Sequence, residues 1–335
     1  MTETVSARFA DTPVCPPVDP EAGAVLTAMT ALVPAVSGET LDDLRAWGAS
    51  VPVPDLTADG AVVVTEREVP GPSGAPDLTV TILAPASGPT GLPLIYNMHG
   101  GGLVMGNRYM YLHEFLPYVA RSEAVVISVS YRLAPEHPAP AQVEDCYAGL
   151  VWAEDNAQEL GVDPERIIVA GISAGGGLGL GVSLRARDAG YPAITHQVLV
   201  APMTDDRFDL PSMRMVDGGP SDRNDMAWMW DAVLGTDRDE TTIAPYVVPA
   251  RAADLSGLPR TYLDVGGSEC FRDPVLELAM RLSQAGVLVD LHLWGGGYHG
   301  FDLNAPDAAV SRAARAARDE FLTRALFAPQ TPTDR

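Results

Sequence analysis

The chain contains no lysine. All 22 of its basic residues are arginine, which excludes every mechanism that turns on a primary amine: a Schiff-base or pyridoxal-phosphate lysine, a P-loop lysine, a kinase strand lysine and a Ser-x-x-Lys nucleophile pair. Positive charge is scarce altogether, with 44 acidic residues giving a formal net charge of −22. No arginine cluster overrides that field, so nucleic acid and anionic membrane surfaces are excluded as partners. Cysteine is nearly absent. Cys15, Cys146 and Cys270 are odd in number and far apart, which suits structural thiols in a reducing compartment better than a disulfide framework. No apolar run reaches membrane-spanning length, and MTETVSARFADTPVCPP lacks the basic start and apolar core of a signal peptide. The expected location is the cytoplasm.

What is present is rhythm. From about residue 60, short β-rich runs alternate with amphipathic segments: AVVVTEREV, LTVTILAP, PLIYNM, AVVISVSY, RIIVAG, HQVLVAP, RTYLDVGG and VLVDLHLW. This alternation predicts an α/β fold with a mostly parallel eight-stranded sheet and helices on both faces. The first two runs, joined by a Gly/Pro turn, predict an antiparallel start. Two regions break the pattern, 1–55 and 203–245, both without strands, and the second follows a strand directly. An insertion of that length is expected to cover a site, so the two are read together as a lid. The expected division is 1–55 as the first part of the cap, 56–202 as the first part of the core, 203–245 as the cap insertion and 246–328 as the rest of the core. A frayed tail is expected over 329–335.

In Gly171-Ile172-Ser173-Ala174-Gly175 a predicted strand runs into a serine and then into a predicted helix. Glycine two residues before and after the serine removes the side chains that would collide in so tight a turn, and it lets the hydroxyl point outward. A glycine-rich turn that merely packs helix on strand would look similar, so context matters. A second cluster, Asn97-Met98-His99-Gly100-Gly101-Gly102, ends another strand. There the N–H groups of Gly101 and Gly102, with that of Ala174, would cradle a developing oxyanion, and His99 would brace the loop.

A serine needs a base. Of the histidines that follow it, His196 and His292 fall within strands, whereas His299 sits in the glycine-rich loop of Trp294-Gly-Gly-Gly-Tyr-His-Gly-Phe301 and is the expected base. Two carboxylates compete to orient it. Asp273 precedes Pro274 and a periodic helix, which suits an N-cap, so Glu269 is favoured and Asp273 stays as the alternative.

These residues resemble the bacterial hormone-sensitive-lipase-like (family IV) esterases, a branch of the α/β-hydrolases. The similarity covers about residues 90–305 through H-G-G-G at 99–102, Y-R-L-A-P-E at 131–136, D-P-E-R-I at 163–167, G-x-S-A-G-G at 171–176 and H-G-F at 299–301. The resemblance implies Ser173 as nucleophile, His299 as base, and Gly101, Gly102 and Ala174 as the oxyanion hole. It also implies a helical cap over the serine, a small-molecule ester of short to medium chain as substrate, and no metal or organic cofactor. Two positions depart from the family pattern: Glu269 stands where aspartate is common, and Ile172 where aspartate or threonine is frequent. Tyr131 to Glu136 and Asp145 are read as scaffold for the glycine loop. Met105, Met203, Met213, Trp228 and Trp230 are candidates to line the substrate pocket, although AWMW also fits the buried face of a cap helix.

The reading is a serine carboxylesterase working through an acyl-enzyme. A lactonase or amidase would use the same machinery, and a noncatalytic ligand-binding protein of this fold is a further alternative. Nucleotide binding through GGGLGLG is disfavoured, because the next strand ends VLVAP without the acidic residue a ribose would need. An exposed final strand allows a homodimer.

Overall fold

The computed structural model describes residues 13–216, 219, 221–239 and 241–327. The expected frayed tail, 329–335, lies outside them, as does the start of the expected first cap segment. Eight strands form one sheet: β1 (Val62–Val69), β2 (Leu78–Pro85), β3 (Leu92–Met98), β4 (Val125–Val129), β5 (Val162–Ile172), β6 (Ile194–Val200), β7 (Arg260–Gly266) and β8 (Val289–Trp294). The helices are α1 (Pro20–Thr30), α2 (Leu41–Ser50), α3 (Leu112–Ala120), α4 (Ala141–Asp155), α5 (Ala157–Leu160), α6 (Ala174–Ala189), α7 (Arg223–Leu234), α8 (Arg272–Gln284), α9 (Phe301–Asn304) and α10 (Ala309–Phe327).

The strand order is β1-β2-β4-β3-β5-β6-β7-β8. β2 pairs antiparallel with both β1 and β4, and every later pairing is parallel. The composition of each strand follows from its place. β4 lies between β2 and β3, with helices over the sheet, and all five of its residues are buried; β8, at the edge, leaves Leu291 and Leu293 exposed. This is the pattern expected of a strand covered on both faces and of an edge strand. β5 begins before the expected RIIVAG run, because Leu92 pairs with Val162 and the register then shifts before Leu94 meets Ile167. The D-P-E-R segment accommodates that shift.

Two apolar layers sandwich the sheet. On one face Leu150, Leu178, Leu180, Leu278 and Leu282 from α4, α6 and α8 pack against Leu94, Val169 and Leu263. On the other, Phe115 and Val119 of α3 and Phe321 and Leu322 of α10 pack against Ile95, Val126, Ile168 and Val198. Each such fully buried side chain stabilises the fold by roughly 1.5–3 kcal/mol. Buried within the first layer, the Tyr96 hydroxyl donates to the Cys146 carbonyl at 2.9 Å.

The segments before β1 and after β6 meet over the C-terminal ends of the strands. The Val36 N–H donates to Asp225 of α7 at 2.8 Å, and α7 starts on a side-chain cap, with Asp222 accepting from the N–H groups of Asn224 and Asp225. α2 is pinned to the core through Arg45, which donates to Val104 and Ala134 carbonyls and to both carboxylate oxygens of Glu136.

Candidate active site

The parallel strands deliver their C-terminal ends to one rim, and four of those ends carry the candidate residues: β3 leads into the glycine loop, β5 into Ser173, β7 into Glu269 and β8 into His299. Ligands in open α/β sheets bind at this rim.

Ser173 occupies the corner between β5 and α6 with φ 58° and ψ −123°, a backbone conformation that costs an ordinary residue of order 1–3 kcal/mol. The corner is held from both sides. Its N–H donates to Val200 at 2.8 Å, and its carbonyl accepts from Gly177 at 3.0 Å and Met203 at 2.9 Å. Nothing larger than glycine fits at 175, where a Cβ would lie 2.0 Å from the Met98 carbonyl oxygen.

His299 Nε2 lies 2.9 Å from Ser173 Oγ, and His299 Nδ1 lies 2.6 Å from Glu269 Oε2. The other oxygen of Glu269 accepts the Gly266 N–H at 2.6 Å, so the carboxylate is fixed at both ends and is 2% exposed. The loops carrying acid and histidine are stitched together: Ser268 N–H donates to Gly297 at 2.9 Å and Gly267 N–H to Trp294 at 2.7 Å. Phe271 packs edge-on to the His299 ring with centroids 4.8 Å apart. A carboxylate on Nδ1 fixes the tautomer that leaves Nε2 free to accept the serine proton.

Asp273 is not the helix cap expected from the sequence. α8 begins two residues earlier than that role requires, at Arg272, with Phe271 in the capping position and no side-chain cap. Asp273 instead accepts the Ser212 N–H at 2.7 Å and pairs with Arg272 at 2.7 Å, tying the segment after β6 to α8. Burial works to raise its pKa, but Arg272 and the Ser212 donors outweigh that and hold it below the usual range.

The glycine loop is braced at successive carbonyls. Tyr131 Oη donates to His99 O at 2.8 Å, Ala134 N–H to Leu103 O at 3.0 Å, and Arg45 Nε to Val104 O at 2.8 Å. His99 is buried, stacks on Tyr131 at 4.1 Å and sits 2.7 Å from Gly100 O through Nδ1; burial pushes its pKa down to about 4. Arg132 grips the buried carboxylate of Asp145 through its backbone and guanidinium. These contacts leave Gly101 at φ +110°, and among the described residues no acceptor takes the N–H of Gly101, Gly102 or Ala174.

A cavity of about 800 Å³ opens above Ser173 and His299, walled by residues before β1 and by Gly219, Ser221, Asp222, Asn224, Asp225 and Met229. Of the methionines and tryptophans expected at a substrate pocket, Met105 lines this cavity. Met203, Met213, Trp228 and Trp230 do not: Met203, Met213 and Trp230 are buried in the larger apolar cluster, and Trp228 packs beside Gly38. The methionines that face the cavity are Met29, Met105, Met110 and Met229, joined by Trp47. Helical periodicity within AWMW says only that one side faces inward, and the larger indole of Trp230 took the core while Met229 reached the cavity. Arg45 also lines the cavity, and its role as a brace was not legible, because its partners lie 59 or more residues away.

Residues 95–303 match the model of a family described as having the alpha/beta hydrolase fold. The chain is 34% identical over 317 residues to the carboxylesterase NlhH of Mycobacterium tuberculosis, covering 92% of this chain and 95% of that one. It is 35% identical over 218 residues to an arylesterase of Saccharolobus solfataricus, covering 62% of this chain and 68% of the relative. Among solved structures, a bacterial heroin esterase superposes with a TM-score of 0.85 at 36% identity, covering 92% and 98% of the two chains. No helix among the described residues is long and apolar enough to cross a membrane.

Proposed function

As this chain belongs to the hormone-sensitive-lipase-like branch of the α/β-hydrolase family, we propose that it is a serine carboxylesterase with Ser173 as nucleophile, His299 as base and Glu269 as the orienting acid. One observation carries the assignment: a continuous path from Glu269 Oε2 through the His299 ring to Ser173 Oγ, with contacts of 2.6 and 2.9 Å.

His299 Nε2 takes the Ser173 proton as Oγ attacks the ester carbonyl. The tetrahedral oxyanion is met by the N–H groups of Gly101, Gly102 and Ala174; losing one such donor costs about 3 kcal/mol of barrier. Collapse expels the alcohol, which receives the proton from His299, and water repeats the sequence on the acyl-enzyme. Throughout, the Glu269 carboxylate orients the ring and stabilises the imidazolium. The substrate is a small ester with a short to medium acyl chain, which the apolar methionine and tryptophan wall of an 800 Å³ cavity accommodates. Two copies would pair along the exposed edge of β8, and the molecular mass in solution checks this.

The test pairs Ser173→Ala with an active-site-directed organophosphate. The expected result is a loss of p-nitrophenyl butyrate turnover of at least about 10³-fold, with label found only on Ser173 in the unsubstituted protein. Retained turnover in the alanine protein, or label elsewhere, would refute the assignment.

A further inference from the structure

A second cavity, of about 470 Å³, lies between α3 and α10 on the sheet face opposite α6 and α8. Tyr111 and Ile172 line both it and the ester cavity, so these two side chains form the partition between them. Ile172 is the residue immediately before Ser173. The floor is apolar, formed by Phe115, Ile172, Val198, Val200, Leu303 and Leu322.

The α10 wall is cationic. Arg312, Arg315 and Arg318 recur every third residue and line the cavity, with alanines at 313, 314, 316 and 317 between them. Their states differ. Arg318 is buried and neutralised: it donates to Asp302, lies 3.5 Å from Asp264 and lies 3.8 Å from Glu114. Arg315 reaches Glu114 only at 4.0 Å and the Pro306 carbonyl at 3.2 Å, and its buried Nε has no hydrogen-bond partner. Arg312 donates to the Asp307 carbonyl and, among the described residues, has no carboxylate within 4.0 Å. Of the acids at the cavity, Asp319 is engaged by the Tyr118 hydroxyl at 2.5 Å, and Glu114 is shared with His113 at 3.3 Å. An apolar floor beneath two incompletely paired arginines is unusual in a chain of net charge −22.

We propose that this cavity binds monocarboxylates, and that its occupant is the acid product of ester hydrolysis. The proposal rests on the esterase reading of the preceding subsection. The acid leaves Ser173 as an anion at neutral pH, and the ester cavity offers it Asp222, Asp225 and one guanidinium, that of Arg45, which Glu136 already holds. The second cavity offers incompletely paired guanidinium forks for the carboxylate head and aliphatic surface for the tail. Arg312 and Ala316 of its α10 wall are exposed to solvent, so acid reaches it without displacing ester. Because Ile172 is shared with the nucleophile turn, occupancy there slows turnover in a way that excess ester does not reverse.

Hexanoate and inorganic phosphate are the probes. In the unsubstituted enzyme hexanoate is expected to inhibit with a component that saturating ester does not relieve, and phosphate, which has the charge but no tail, to act at least about tenfold more weakly. Arg312→Ala with Arg315→Ala is expected to weaken that component about tenfold. Ala316→Trp, at an exposed position that lines the cavity, fills it without removing charge and is expected to do the same. Purely competitive hexanoate inhibition, phosphate acting as strongly as hexanoate, or no change in either variant overturns the proposal. Titrating hexanoate into Ser173→Ala protein separates the two readings. Binding lost with the arginines supports the site even if no ester is turned over, and ester turnover without such binding refutes the site alone.

Discussion

Arg45 and Glu136 form a two-pronged ion pair, with Nη1 to Oε1 at 2.6 Å and Nη2 to Oε2 at 2.9 Å, while the same guanidinium holds the Val104 and Ala134 carbonyls. One side chain from α2 therefore ties that helix to both the glycine loop and the Y-R-L-A-P-E segment. An exposed ion pair by itself contributes little; the two carbonyl bonds give this one its importance. Hydrogen bonding from Arg45 holds Glu136 down to about 2, so the fork persists well below neutral pH.

Arg45→Ala should therefore lower kcat/KM for p-nitrophenyl butyrate by about tenfold, mostly in kcat, because the donors at Gly101 and Gly102 lose their alignment rather than their chemistry. Arg45→Lys should rescue little of it, since an ammonium cannot reproduce a planar fork. Steady-state kinetics of the two variants checks this; equal rescue by lysine would show that charge alone matters.

His99 supplies an acid limb to stability. Its buried ring has a pKa of about 4 against an ordinary 6.5, so between those values the unfolded chain binds a proton that the folded chain refuses. Stability from this residue is complete above pH 6.5 and declines as pH falls toward 4, by about 3 kcal/mol in total. Urea midpoints measured across pH 4–7 should fall on the acid side, and His99→Gln should flatten that slope. An unchanged slope in the variant would assign it to other groups.

The fold was legible where the chain repeats a local pattern. Strand, turn and helix around Ser173 are written in consecutive residues, and His299 stands out because the histidines at 196 and 292 lie inside strands. Side-chain destinations set by tertiary contact were less legible. Giving Asp273 a capping role is what freed Glu269 in the sequence argument, yet Asp273 bonds to Ser212, 61 residues away, a contact that no local spacing announces. Likewise Trp230 and Met229 are adjacent, and only the assembled core decides which of them turns toward the cavity.

Met229 faces the ester cavity and crowds the glycine loop so closely that a Cβ on Gly102 would fall 2.1 Å from its sulfur. Met229→Ala opens space beside the acyl carbon, and each methylene of substrate that fills it is worth about 0.8 kcal/mol. The kcat/KM ratio of p-nitrophenyl octanoate to butyrate should rise several-fold. The variant should also unfold at lower temperature, since truncating a buried methionine costs about 2–5 kcal/mol, so the ratio is to be measured well below its midpoint. No change in the ratio would mean that the acyl chain lies elsewhere.

The two carboxylates near α8 make the sharpest comparison, because they differ in what they hold. Glu269 connects Gly266 to the His299 ring, so Glu269→Gln keeps the shape but presents an amide that cannot stabilise an imidazolium and can favour the wrong tautomer. A fall in kcat of about 10³–10⁴-fold is expected. Asp273 connects Ser212 to Arg272, away from the ring, so Asp273→Asn should leave kcat within about threefold of the parent. It should instead lower stability by about 1–3 kcal/mol, through weakened bonds to the Ser212 N–H and Arg272. Turnover and thermal unfolding measured on both variants check the division. If Asp273→Asn abolished turnover while Glu269→Gln did not, the acid would be the residue that bonds Ser212, and α8 would have to move its first turn toward His299 during catalysis.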